Sequence, residues 1–222
     1  MGRVMMAGGK PDMAAPVGGL LLSSVAEGSI VKLNENGSPV EFYVAKHNYE
    51  PDLNGNGRSL LVRKDLFDSR VWNSTASNIY GSSSIDSWLN SDYKSLFDNK
   101  TLSAIGTTKF YCANGSTTVS ALERSIFLSS HTEMGFSGQS VEGSSLPINE
   151  LLRTAYFNGE KQKWWIRTHG NGYSDRAWVI TGDSGIAAIP SIVTETYYSR
   201  PCFTIPETAY FDPVSMLFMG VS

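Results

Sequence analysis

Short runs of β-branched, aliphatic and aromatic residues recur along most of this chain, and clusters of Gly, Ser and Asn separate them. Such runs are typical of β-strands, because branched side chains pack well on a pleated sheet and the separating residues favour turns. The first two runs, residues 29–33 and 40–44, flank a six-residue polar segment and predict a hairpin. Further strands are predicted at residues 59–63, 108–112, 124–128, 164–167, 176–180, 185–189 and 201–205.

Helical patterns interrupt these strands. Ile85 and Trp88 recur at helical spacing in the segment Ser84–Leu89, which begins with Ser as a cap. A second short helix is predicted to continue towards Ile105, and another near residues 148–156. We therefore expect an α+β plan, with helices inserted between an N-terminal hairpin and a C-terminal meander.

Length and charge limit the function. The 222 residues can bury the core of one domain with appended arms, and the net charge of −3 gives no basic face for nucleic acid. No apolar run is long enough to span a bilayer, so a soluble protein without membrane insertion is expected. Cys112 and Cys202 lie in separate segments and form no zinc framework, which leaves free buried thiols and a single bridge as alternatives.

The chain ends differ in composition from the middle. Residues 1–27 are rich in Gly, Ala, Met and Pro without a period and predict an extended arm, although residues 20–26 faintly resemble a signal peptide. Residues 28–206 are predicted to form the domain, and residues 207–222 an apolar tail. The apolar tail residues are Phe211, Met216, Leu217, Phe218 and Met219. They are expected to pack on this domain or on a partner.

Residues 182–185, Gly-Asp-Ser-Gly, match the nucleophile turn of trypsin-like proteases. That serine requires a His base and a buried Asp, but none of His47, His131 and His169 lies in a matching segment. Ile186 also replaces the Gly that the protease family carries there. An ordinary hairpin turn is therefore favoured over a protease site.

Residues 52–57, Asp-Leu-Asn-Gly-Asn-Gly, match the opening of a calcium loop. The closing Glu of such a loop is replaced by Arg63, so an exposed turn is favoured, while an oxygen site completed from distant residues remains open. The three His and two Cys show no metal-ligand spacing. Neither a cofactor nor a catalytic residue is predicted.

Five segments, in order, resemble a family of bacterial and phage domains of unknown function that is itself similar to the C-type lectin and formylglycine-generating-enzyme fold. These segments are residues 60–67, 71–98, 126–136, 164–170 and 199–206. In that family the last two read roughly Trp-Trp-Leu-Arg-Ser and Arg-Pro-Ala, so Ile166, Thr168 and Cys202 depart from the pattern. The resemblance implies a C-type-lectin-like fold of short mixed or antiparallel strands, two or three flanking helices and long loops.

The resemblance implies a structural role for Trp164, Trp165, Arg167, Arg200 and Pro201. Alternation along a strand would send the two Trp to opposite faces, with one buried beneath the loops. The two Arg would donate hydrogen bonds to loop carbonyls or acidic side chains, because the planar guanidinium suits such roles.

Ligand binding is predicted in the loop 169–176 and the turn near Ser184. Tyr173 and Trp178 offer flat apolar surfaces there for a sugar or a peptide. Polar groups beside them are Asn171, Asp175 and Arg176. An ordinary hydrated loop is the alternative interpretation.

The expected function is a non-catalytic lectin-like binding module, displayed on a phage virion as a capsid decoration or tail component. It would recognise a host-surface glycan or protein and attach to a phage structural protein through its arm or tail. A structural decoration protein without ligand and a secreted or cell-surface binding domain remain alternatives, and self-association is compatible with each. An enzyme is the least favoured class, because the formylglycine-generating relatives use a nearby pair of cysteines with copper, whereas Cys112 and Cys202 lie in separate segments.

Overall fold

The computed structural model describes residues 18–181 and 188–222. The strands, in chain order, are β1 (Leu20–Leu21), β2 (Ile30–Glu35), β3 (Ser38–Lys46), β4 (Arg58–Arg63), β5 (Ser69–Val71), β6 (Thr108–Cys112), β7 (Ser120–Arg124), β8 (Phe127–Leu128), β9 (Tyr156–Phe157), β10 (Glu160–Lys161), β11 (Trp164–His169), β12 (Arg176–Ile180), β13 (Ala188–Ile192), β14 (Thr196–Tyr198), β15 (Pro201–Pro206), β16 (Ala209–Phe211) and β17 (Phe218–Val221). The α-helices are α1 (Pro51–Asn54), α2 (Ser84–Trp88), α3 (Asn99–Ala104) and α4 (Asn149–Leu152). Further helical turns are Leu22–Ser24, Tyr80–Ser82, Leu89–Tyr93 and Lys94–Leu96.

The predicted α+β, C-type-lectin-like fold class is wrong. The protein is 38% strand and 17% helix, so strands dominate it, and its described strands form five small sheets. The helical pattern after residue 84 is real, but the chain is extended at Phe97 and the following helix, α3, has only six residues. Residues 84–96 form one continuous helical stretch, while the other described helices have only three to six residues and connect strands. No helix in the described ranges is long and apolar enough to cross a membrane.

The first five-stranded sheet is antiparallel, in the order β2-β3-β4-β15-β8. Asn36 and Gly37 join β2 to β3 with positive φ angles of 51° and 75°. This two-residue connection matches the twist of a hairpin, and Asn-Gly tolerates it best. β15 lies inside the sheet, where Phe203 packs against Phe42 with ring centres 5.3 Å apart.

The second five-stranded sheet has the order β13-β12-β11-β14-β5. Only the β11–β14 pairing is parallel among its described pairs. β11 is the middle strand, and all six of its residues are buried. A strand that is covered on both faces carries buried side chains in both directions. This position places the Trp-Trp-x-Arg motif in the core.

A third sheet, β1-β16-β17, joins the two ends of the described chain. Leu20 pairs with Phe211, and Leu22, Phe211 and Phe218 are buried in the common core. Phe211 and Phe218 therefore pack in this domain with Leu22 and Val25 of the predicted arm, and Met216 packs against the same core, whereas Met219 is 42% exposed. Residues 1–17 of that arm lie outside the described residues.

Candidate functional site

Both Trp side chains of the Trp-Trp-x-Arg strand are buried. The indole N–H of Trp165 donates to the carbonyl oxygen of Arg70 at 2.9 Å, and Tyr197 meets the Trp165 ring edge-on at 4.9 Å. Trp164 lies 5.5 Å beneath the guanidinium of Arg200. A large aromatic ring so enclosed stabilises the core and presents no surface to a ligand.

Arg167 is buried with a partner for each part of its guanidinium. Its Nη1 and Nη2 donate to the two carboxylate oxygens of Glu133 at 2.7 and 3.0 Å. The remaining bonds go to the carbonyl oxygens of Tyr111, Leu128 and Glu142, at 3.1, 2.8 and 3.1 Å. Burial alone would lower the pKa of Arg167, but the Glu133 carboxylate raises it well above the usual value. The side chain therefore stays charged and ties β6, β8 and the segment that carries Glu133 and Glu142 to β11.

Two buried carboxylates complete this network. Glu133 accepts a hydrogen bond from the Tyr49 hydroxyl at 2.5 Å, and burial together with that carboxylate raises the Tyr49 pKa. Glu142 accepts from the backbone N–H of Ala113 at 2.7 Å and from the Thr168 hydroxyl. Their oxygens are occupied by protein donors, so the network holds loops in place and does not face an open cleft.

Arg200 is also buried, but its hydrogen bonds go to backbone oxygens alone. It donates to the carbonyls of Arg63, Leu152 and Lys64. Burial lowers its pKa to about 10, which still leaves it charged at neutral pH. Pro201 follows as the buried first residue of β15. The Arg-Pro motif thus fixes the start of this strand.

An open depression of about 590 Å³ lies beside the end of β11. Three segments that are distant in sequence line it: residues 76–79, residues 115–117 of the β6–β7 connection, and residues 171–174 with His169. The last segment belongs to the loop that was predicted to bind ligand. The other two were not predicted, because only the fold brings them to this loop.

The loop between β11 and β12 is held by local and distant bonds. The N–H of Tyr173 donates to the carbonyl of Gly170 at 3.2 Å, and Gly172 between them has a φ of 80° that favours glycine. Buried Asn78 donates from its side-chain amide to the carbonyl oxygens of Tyr173 at 2.6 Å and Arg176 at 3.2 Å. These bonds fix the backbone of the loop that carries Tyr173.

Tyr173 is the most prominent aromatic group in the depression. Its side chain is 50% exposed, and Ile79 across the depression is 42% exposed. The guanidinium of Arg176 lies 4.6 Å from the Tyr173 ring centre, within the range of a cation–π interaction. Asn171 is exposed at the rim. Of the five predicted ligand contacts, Asn171 and Tyr173 line the depression and Arg176 supports it.

The other two predicted ligand contacts lie elsewhere. Asp175 accepts the N–H of Val193 through its carbonyl and does not line the depression. Trp178 is half-buried and packs on His131, with ring centres 4.8 Å apart. Residues 182–185, including Ser184, fall outside the described residues.

The three His occupy different surroundings. His47 bonds to the Ser59 hydroxyl and the Val25 carbonyl at 2.7 and 2.8 Å. His131 and His169 are buried, each with an Nδ1 that has no protein partner, and burial lowers the pKa of both. Only His169 lines the depression.

The described residues contain no cluster of three or more His, Cys, Asp or Glu placed to hold a metal. Cys112 and Cys202 are buried free thiols, and burial raises the Cys112 pKa to about 12, which disfavours a reactive thiolate. In the calcium-like segment the Asn54 amide donates to the carbonyls of Tyr49, Glu50 and Lys109. The Asn54 side chain therefore stabilises this turn through hydrogen bonds to the backbone.

Acid should destabilise the fold through His131. Burial lowers its folded-state pKa to about 4, so the unfolded chain takes up this proton first as the pH falls below about 6.5. The stability that the fold gains from neutral His131 is fully present above about pH 6.5 and is lost as the pH approaches 4. Between pH 7 and about pH 4.5 we expect the wild type to lose about 2–3 kcal/mol more unfolding free energy than His131→Phe. Urea unfolding at both pH values measures this difference, and parallel losses would contradict it.

Fold and site together define a β-rich domain with a rigid core and an open depression at one sheet end. A family model described as a domain of unknown function (DUF6273) matches residues 56–207, and the chain belongs to that family. β2 and β3, which complete the first sheet, lie before the matched range. No curated protein and no solved structure matches the chain, and nothing supports the resemblance to C-type lectins or formylglycine-generating enzymes.

Proposed function

We propose that this domain is a non-catalytic binding module that recognises a glycan in the depression around Tyr173. The observation that carries the proposal is the half-exposed Tyr173 ring, whose backbone carbonyl is bonded by Asn78 and which has Arg176 over it at 4.6 Å. Half of this side chain remains exposed to a ligand. A flat ring of this kind packs on the C–H face of a sugar, and nearby polar groups set its orientation.

The chemistry around the depression supports binding over turnover. General acid–base catalysis needs a positioned pair of titratable groups, and His169 is the one titratable side chain other than Tyr173 among the described lining residues. Glu133, Glu142 and Arg167 bond to protein groups inside the core. An open depression also leaves a ligand in contact with water, which suits recognition of part of a longer chain.

Replacing Tyr173 by Ala should weaken glycan binding about tenfold or more, because the ring supplies the largest apolar contact in the depression. The measurement is a glycan-array screen of the intact protein, followed by calorimetric titration of the glycans that bind. Tyr156→Ala is the matched control, since Tyr156 is 39% exposed and lies outside the depression.

Equal loss in both variants, or unchanged affinity in Tyr173→Ala, would count against the proposed site. Binding of a host-surface protein without any glycan would replace this proposal with protein recognition.

Display on a phage virion, or on a cell surface as the alternative, stays a proposal that rests on the resemblance. Because β16 and β17 pack within the domain, we assign the attachment to a phage structural protein to residues 1–17. Recovery of the intact protein with purified particles, together with loss of a variant that lacks residues 1–17, would support this assignment.

A further inference from the structure

The geometry points to an uncharged sugar as the ligand of the Tyr173 depression, in preference to an acidic sugar. This inference rests on the proposed binding function and names the ligand class of the same site. Three features support this inference: the uncharged lining, the unpaired polar groups, and a second depression that is lined by Lys side chains.

The described lining of the Tyr173 depression contains no Asp, Glu, Lys or Arg side chain. Its side chains are small, hydroxyl-bearing, amide or apolar, apart from Tyr173 and His169. The guanidinium of Arg176 lies 4.6 Å from the Tyr173 ring centre, but Arg176 does not line the depression. A carboxylate that entered here would lose water without gaining a lining ion pair.

Asn78 and Ser116 bond within the protein, but the other polar side chains that line the depression can bond a hydroxyl-rich ligand. In the described structure no protein hydrogen bond is formed by the side chains of Ser77, Thr117, Asn171 and Ser174. His169 is only 4% exposed, and its Nδ1 is buried without a protein partner. Buried polar atoms of folded proteins nearly always have partners, so an unpaired one beside an open depression calls for a ligand or water. Hydroxyl groups both donate and accept, and therefore suit this neutral mixture.

The chain carries a contrasting depression at the opposite end of β11. It has a volume of about 310 Å³ and is lined by Lys161, Lys163, Tyr197 and Tyr198, among others. No ion pair of either Lys is found among the described residues. Acidic ligands would bind more favourably there, because two ammonium groups attract a carboxylate and the Tyr173 depression offers none.

The test uses pairs of oligosaccharides that share a neutral core and differ in one terminal acidic sugar. With the intact protein we expect the neutral member to bind, and the acidic member to bind about tenfold or more weakly at the Tyr173 depression. Because no charged side chain lines the depression, the affinity for the neutral oligosaccharide should change by less than about twofold between ~0.05 and ~0.5 M salt.

Two variants report on the polar groups. His169→Phe keeps a ring but removes both ring nitrogens, including the unpaired Nδ1, and Thr117→Val removes an exposed hydroxyl without touching the core. Each should weaken binding of the neutral sugar severalfold, and Thr117→Val provides the answer if His169→Phe does not fold. Wild-type affinity in both variants would overturn the assignment.

The failure of this inference differs from the failure of the proposed function. Stronger binding of the acidic member overturns the uncharged class, and the proposed site survives if Tyr173→Ala abolishes that binding. If Lys163→Gln abolishes it instead, ligand recognition belongs to the second depression, and both proposals for the Tyr173 site fail. The absence of binding by either member would contradict the glycan function itself.

Discussion

Replacing Arg167 by Met is expected to destabilise the protein by about 3–5 kcal/mol, one of the two largest effects we predict. The substitution leaves the Glu133 carboxylate buried without its counter-ion. It also removes donors from the carbonyl oxygens of Tyr111, Leu128 and Glu142. Removal of one partner from a buried pair is costly, because the remaining charge cannot return to water. Urea unfolding of the purified variant measures the loss.

Lys64→Met is the matched control for Arg167→Met. Lys64 pairs with Glu41 at 2.6 Å, but about a third of each side chain is exposed. Exposed pairs of this kind contribute about 0–1 kcal/mol, because water screens them and holding two long side chains together costs entropy. If Arg167→Met lost no more stability than Lys64→Met, the buried network would not hold the loops as we describe.

Replacing Trp165 by Ala should cost about 3–5 kcal/mol as well. The side chain is fully buried, its N–H bonds to the Arg70 carbonyl, and Tyr197 packs against its ring. Truncation therefore leaves a cavity in the middle of the second sheet and an unpaired carbonyl. Thermal unfolding followed by circular dichroism measures the effect.

Trp178→Ala serves as the control for Trp165→Ala. Trp178 is half-buried, and its indole N–H has no hydrogen-bond partner. Its removal should therefore lower stability clearly less than removal of Trp165. An equal loss of stability in the two variants would show that Trp178 contributes to the core as much as Trp165 does.

Local sequence signals predicted the individual strands better than the fold class. The first hairpin forms, but its connection is the two-residue turn Asn36-Gly37, because residues 34, 35, 38 and 39 of the expected six-residue segment pair as strand. The predicted strand at residues 124–128 divides into β7 and β8. Its interruption has a distant cause: the Asn90 side-chain oxygen accepts the N–H groups of Ser125 and Ile126, each at 3.1 Å.

The helix predicted at residues 148–156 shows why the helical content was overestimated. Only α4, Asn149–Leu152, is helical there. Arg200 binds the Leu152 carbonyl, and Leu66 donates its N–H to the Tyr156 carbonyl, which draws the chain into β9. The following hairpin turn has a local signal, the dipeptide Asn158-Gly159 with φ angles of 52° and 82°, which is typical of a two-residue hairpin connection.

The candidate site could be predicted only in part. Asn171 and Tyr173 belong to one polar, aromatic loop and were identified from that composition. Asn78 and the segment 115–117 join them through contacts across the fold. No pattern within either segment indicates those contacts. The contribution of His169 depends on burial without a partner, which likewise appears only in three dimensions.

The most direct test of glycan recognition at Tyr173 is residue-level mapping of the bound ligand. Backbone amide shifts of the isotope-labelled protein would be followed by NMR during titration with the tightest-binding neutral glycan. We expect saturable shifts at residues 76–79, 115–117 and 169–174. Saturable shifts centred on Lys161, Lys163, Tyr197 and Tyr198, with the Tyr173 depression unperturbed, would contradict the assignment.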